Sequence, residues 1–242
     1  MSPDTGARPG VPVAPGVYHF QRMSGESPTR FHLRVEPDGG GLLLANAAEA
    51  AILSPVGVLM VHSILSGLAG DAVAAEVGAN FHGATSAEIV DDVFRVHQLL
   101  TDLASPDDNY PITNFGADDT ASGRRLLAPF QADVTAGTAE QMEAVVRALW
   151  DAGIPHVTFI AQPGGDPSDL VRAVEVAEDI GMISGVRAVA SWVSEDALRA
   201  LAQAGLDYYT VVFASCDPAE HNTMVGAEDH DAVMRAIEVC QD

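Results

Sequence analysis

The chain has 242 residues, 48% of them hydrophobic, and a formal charge of −22 from 34 acidic against 12 basic side chains. That much negative charge repels phosphate backbones and anionic lipid, which argues against nucleic acid or a membrane surface as partner. No apolar run is long enough to cross a bilayer, and "MSPDTGARPGVPVAPG" at the start lacks the basic and apolar regions of a secretion signal, so a cytoplasmic protein is expected.

Residues 1–29 are rich in Pro and Gly at their start and are expected to be flexible. From Phe31 the chain reads "FHLRVEPDGGGLLLANAAEAAILSP": two β-like runs joined by Asp-Gly-Gly-Gly, then a third short run, Glu49 to Leu53. Ser54-Pro55 is a helix start, "VGVLMVHSILSG" is its body and Gly67 its stop. A short helix follows over "DAVAAEVGANFHG". A longer one, "TSAEIVDDVFRVHQLLTDLA", opens with the capping pair Thr85 and Glu88 and sets Ile89, Val93, Val96 and Leu100 on one face. Residues 30–104 are thus expected to be an α+β domain of three strands and three helices.

Residues 105–125, "SPDDNYPITNFGADDTASGRR", are polar and aperiodic and are expected to be a linker. The period then changes. Strands are expected near Phe130–Val134, His156–Ala161, Val186–Ala190 and Tyr209–Ser215, each followed by a helical segment, so 126–242 reads as α/β with four βα units and a parallel sheet. Ligands of such sheets sit at the carboxyl ends of the strands, here Thr135, Gln162 to Asp166, Ser191 and Ser215 to Asp217. Asp133 and Tyr209 are the polar residues expected to face the concave side.

The eight histidines are scattered without an HxxxH or HExxH pair, and Cys216 and Cys240 cannot make a four-thiolate site, so no metal site is expected. Glu228 to Asp231 reads as the acidic first turn of the last helix. Cys216 and His221 are separated by a Pro-containing turn, and nothing marks an oxyanion hole, so no catalytic residue is assigned.

Two resemblances then suggest a function. The order of elements and the "HLRV-PDG-GLLL-NA" hairpin make residues 30–104 resemble the PqqD-like peptide clamp, the recognition element of ribosomally made, modified peptides, in a winged-helix-like arrangement. "LWDAGIPHVTF", a GG-x-P turn, "GMISG", "LAQAGLDYY" and "SCDPAEHNTMVG" resemble, in that order, the start of a radical SAM enzyme's barrel, a partial TIM-type barrel of four βα units. That likeness implies an ancestral site for S-adenosylmethionine and a [4Fe–4S] cluster, with Gly164, Gly165, Asp166, Ser191 and Ser215 as its vestige. The family's cluster loop is absent after Thr135, so both cofactors are expected to be lost.

The resemblance therefore implies a non-catalytic accessory protein. It would hold a leader or precursor peptide as an added strand beside Glu49, Ala51 and Leu53 and against Val93, Val96 and Leu100. Association as a homodimer, or as a heterodimer with a full-length radical SAM enzyme, is expected from the exposed sheet edges. The alternative is an enzyme whose cluster ligands come from another chain, or one with cluster-free chemistry at the strand ends.

Overall fold

The computed structural model describes residues 12–24, 27–47, 49–104, 112–115 and 126–240. The chain divides into two compact units, Met1–Ala128 and Pro129–Asp242.

In the first unit, strands β1 (Gly16–Ser24), β2 (Ser27–Val35), β3 (Gly41–Ala45) and β4 (Glu49–Leu53) pair antiparallel in chain order, and a short strand β5 (Ile112–Phe115) lies parallel to β4. Helices α1 (Pro55–Leu65), α2 (Gly70–Asn80) and α3 (Ser86–Ala104) follow β4. The pleat sends alternate residues to one face, and the register stacks Leu33, Leu43 and Ala51 across three strands beside Val35 and Leu53. These side chains and those of Val58, Leu59, Val93, Val96 and Leu100 form one buried apolar cluster. Gly41 lets the layers close: a Cβ there would sit 2.6 Å from the Arg34 carbonyl oxygen and 2.8 Å from Val58 Cγ2.

Three strands were expected, and the sheet has five. β1 lies in the stretch expected to be flexible, and its alternating "GVYHFQRMS" becomes a strand because β2 offers nine partners in register. β5 lies in the expected linker, of which 105–111 and 116–125 fall outside the described residues. Four residues among polar neighbours carry no periodic signal; β4's open backbone groups supply the reason for pairing. On the other face of β2, buried Arg34 and Glu36 meet at 2.8 Å. Arg34 donates to the Ala128 carbonyl, and Leu127 N donates to Glu36 Oε2 at 2.5 Å, fastening residues 127 and 128 to this sheet.

In the second unit, β6 (Gln131–Thr135), β7 (His156–Ile160), β8 (Ile183–Ala188) and β9 (Tyr208–Val211) form a parallel sheet in that order. Between and after them run α4 (Ala139–Asp151), α5 (Pro167–Asp179), α6 (Glu195–Gln203), α7 (Pro218–Val225) and α8 (His230–Val239), with a 3-10 turn at Ala190–Trp192. Val157, Phe159, Val186 and Ala188 are buried on one face, with Met142 and Val146 of α4, Leu170 and Val174 of α5 and Leu198 and Leu201 of α6 also buried. The third strand begins three residues before the expected Val186, and the fourth ends at Val211 rather than Ser215. Among the described residues no helix is long and apolar enough to cross a membrane.

Candidate functional site

The outer edge of β4 is already paired. Ala50 to Leu53 match Ile112 to Phe115 in parallel register, so the backbone position expected for a peptide holds a piece of this chain. Ala51, Leu53, Val93, Val96 and Leu100 are all buried in the apolar cluster. The expectation that these side chains face a peptide is corrected, because the face of α3 they mark is the one that packs inward. The solvent side of α3 carries Val90 and Phe94 instead, 58% and 61% exposed and one turn apart. Glu49 pairs through its backbone with Ala45.

At the carboxyl end of the parallel sheet, the Gln162–Asp166 turn closes with Gly165 N donating to the Gln162 carbonyl at 3.1 Å, and Gly164 has φ 72°. Asp166 caps α5, accepting from Ser168 N at 2.9 Å and from Ser168 Oγ at 2.7 Å; these hydrogen bonds hold its carboxyl below the usual range. Thr138 and Gln141 cap α4 reciprocally, and Ala139 N donates to Asp169 Oδ1 at 2.9 Å. Both helix N-termini are thus satisfied by carboxylates and a hydroxyl of the chain itself, so their dipoles are not offered to an anion. A cavity of about 260 Å³ remains there, and Gly165, Asp166, Thr138 and Trp192 help line it.

Ser191 and Ser215 do not join that cavity. Ser191 N donates to Asp229 Oδ1 at 2.6 Å, while Ser215 Oγ donates to Glu220 Oε2 at 3.0 Å. Asp229 meets His221, with Nε2 to Oδ2 at 3.3 Å and both side chains 0% exposed. Ala214 N donates to His221 Nδ1 at 3.2 Å, which leaves the ring proton on Nε2, facing Asp229. Both ring nitrogens are therefore engaged, and His221 cannot serve as base for the exposed Cys216. Asp229 belongs to this clamp and makes no side-chain cap to α8, while Asp231 lies in the acidic first turn expected there. Sequence reasoning missed the pair because it spans eight positions and a helix, a spacing with no local signature.

The open face of the parallel sheet is polar. Its side chains fall in register rows: Gln131 and His156; then Asp133, Thr158, Gly185 and Tyr208; then Thr135, Ile160, Arg187 and Thr210. Gln131 Nε2 donates to Thr158 Oγ1 at 2.6 Å, and Thr158 Oγ1 lies 2.5 Å from the Tyr208 hydroxyl. A Cβ on Gly185 would lie 2.0 Å from Tyr208 Cζ, so the ring lies over the glycine. Burial raises the Tyr208 pKa, and Asp133 adds to it while Thr158 and Arg187 oppose. Arg187 Nη1 meets Asp133 Oδ2 at 3.0 Å with the two side chains 45% and 48% exposed. Asp133 thus faces this side as expected, but Tyr209 does not. It shares a row with buried Val186, and burial lifts its pKa strongly. The register pairs Tyr208 with Gly185 and Tyr209 with Val186, which puts Tyr208 rather than Tyr209 on the open face.

No protein-family model matches the chain, and no curated protein matches it. Among solved structures, a 2-chloromuconate cycloisomerase from Rhodococcus opacus aligns at 16% identity and a TM-score of 0.27, covering 79% of this chain and 56% of that one. A muconate lactonizing enzyme from Pseudomonas putida aligns at 15% identity and a TM-score of 0.27, covering 87% and 62%. The chain therefore spans 56% and 62% of the length of these two, and a likeness at that TM-score assigns it neither fold nor activity. The resemblance to radical SAM enzymes and to the PqqD-like clamp is corrected by the comparison with family models: none of either family matches the chain. The motifs that suggested it, Ala-Gly helix ends and a GG-x-P turn, are stop and cap signals that any βα repeat uses.

Proposed function

We propose that this chain is a non-catalytic, cytoplasmic peptide-binding protein in which an extended peptide replaces β5 along β4. In this reading the first unit is winged-helix-like and the second a partial TIM-type barrel without a cofactor. The observation that supports it is the four-residue parallel pairing of Ile112–Phe115 with Ala50–Leu53, an extended segment seated on the same edge. Backbone pairing of this kind supplies affinity, and alternate side chains supply selectivity. Four residues make few ladder bonds, each contributing about 1 kcal/mol net, so a longer strand can displace them. The net charge of −22 favours a basic peptide.

The test is a labelled peptide carrying the sequence of residues 111–116 followed by a basic tail, titrated into the full chain and into Thr113→Pro. Proline removes an N–H and disfavours the resident strand. Peptide affinity should rise roughly tenfold in the variant, as expected when a competing segment is removed. Amide exchange at Ala50–Leu53 should slow when peptide binds. Binding that is absent from both proteins, or unchanged between them, would refute the reading.

A further inference from the structure

The open face of the second unit holds a group of side chains that peptide binding does not use. Parallel sheets ordinarily have apolar side chains on both faces, covered on both sides. Here four strands contribute Gln131, Asp133, Thr158, Arg187 and Tyr208 to one face, and they are joined by hydrogen bonds rather than scattered. The arrangement has a floor and a rim. Thr158 is fully buried, Gln131 and Tyr208 close over it from either side, and the Tyr208 ring fills the gap that Gly185 leaves. One row nearer the carboxyl ends, Arg187 stands half-exposed beside that ring.

Among the described residues, Arg187 is held on one side only. The contact with Asp133 Oδ2 engages Nη1, and a guanidinium has five N–H donors in a planar fork, so a second edge remains to be offered. Asp133 is itself approached by Gln131 Nε2 at 3.4 Å, which fixes the carboxylate that fixes the arginine. A carboxylate-oriented arginine next to the face of an aromatic ring suits a ligand with a planar anionic group and a flat apolar body.

The charge state of the ligand follows from the surroundings. Asp133 already offsets one unit of the arginine's charge, and the helix N-termini at this end of the sheet are capped by Thr138, Asp166 and Asp217. Among the described residues a doubly charged phosphate finds no second cation on this face and no uncapped helix N-terminus at this end of the sheet, whereas a monoanion needs only the fork. We propose that the face built by Arg187 and Tyr208 binds a small aromatic monocarboxylate, the carboxylate on the guanidinium and the ring on the tyrosine, with Asp133 as positioning residue.

The experiment uses the full chain labelled for NMR and titrated at constant ionic strength with benzoate, with uncharged benzamide and with inorganic phosphate. Saturable shifts at the Arg187 side-chain N–H and at Tyr208 are expected for benzoate, with Kd on the order of 1 mM, the weak end of specific recognition. Arg187→Lys, which keeps the charge and loses the fork, should bind roughly tenfold more weakly. Asp133→Asn should weaken binding a few-fold and broaden the Arg187 resonance, the signature of a lost orienting partner. Benzamide shifting the same resonances equally, phosphate binding more tightly than benzoate, or Arg187→Lys binding as well as the parent would each overturn the proposal. The benzamide and phosphate arms need no variant, so the outcome does not hang on whether a substituted chain folds.

Discussion

The two sheets treat their second face and their edges differently. In the first unit, helices cover one face, buried Arg34 and Glu36 hold residues 127 and 128 against the other, and β5 closes the β4 edge. In the second, helices cover one face, the other is polar and half-exposed, and β6 and β9 lie at the two edges of the parallel ladder. The difference shows how a chain of one composition can make one sheet that is closed by its own segments and another whose surface is left for a ligand. An antiparallel sheet tolerates a polar face readily, whereas a parallel one seldom does, so the polar face of β6–β9 is the more informative.

The largest effects should come from the two apolar layers. Phe159→Ala removes a fully buried ring from the helix-facing side of β7 and should cost about 3–5 kcal/mol; Leu43→Ala in β3 should cost about 2–5 kcal/mol. Denaturant unfolding followed by amide exchange in each sheet should show each loss confined to its own unit. Equal loss in both units from either substitution would break the comparison.

Next in size is Gly185→Ala, which drives a methyl into the Tyr208 ring and should cost about 1–3 kcal/mol by overpacking. Adding Tyr208→Ala should recover much of that loss, a coupling that a double-mutant cycle reads directly. Additive losses would mean that the ring does not depend on the glycine. His221→Phe should cost about 1–3 kcal/mol by leaving Asp229 Oδ2 buried without its partner. The loss should be smaller in His221→Phe/Asp229→Leu, measured by the same unfolding curves.

The smallest effect is with pH, and each unit carries one reporter. Burial depresses the pKa of His62, partly opposed by Glu76, and that of His156, partly opposed by Asp133, both from an ordinary value of 6.5. In each case the unfolded chain binds a proton more readily than the folded one. The stabilising contribution is therefore present above pH 6.5 and is lost as pH falls through the lower, folded-state value. Stability should decline modestly on acidification from pH 7 to 5, a span that brackets the ordinary imidazole range. His62→Gln should remove the slope from the first unit alone, and His156→Gln from the second. A slope that survives both substitutions would assign it to carboxylates instead.

The local pattern along the chain is enough to place α1, α3, α4 and α5. Ser54-Pro55, Thr85 with Glu88, Thr138 with Gln141 and Asp166-Pro167 each carry their own cap, and each cap is made within four residues. The same holds for the β2–β3 hairpin and for the parallel order of β6 to β9, because alternation and βα repetition are written in neighbouring residues. The candidate sites depend on the tertiary structure. β5 is a strand because β4 has an unpaired edge, the Tyr208 ring lies on the open face because Gly185, its partner on the neighbouring strand, leaves room, and His221 meets Asp229 across a helix. Arg187 and Asp133 are 54 positions apart in the chain and 3.0 Å apart in space. A cap or a turn is an energy between neighbours and can be read from them; a ligand face is assembled by register between strands, and register is fixed only when the whole sheet forms.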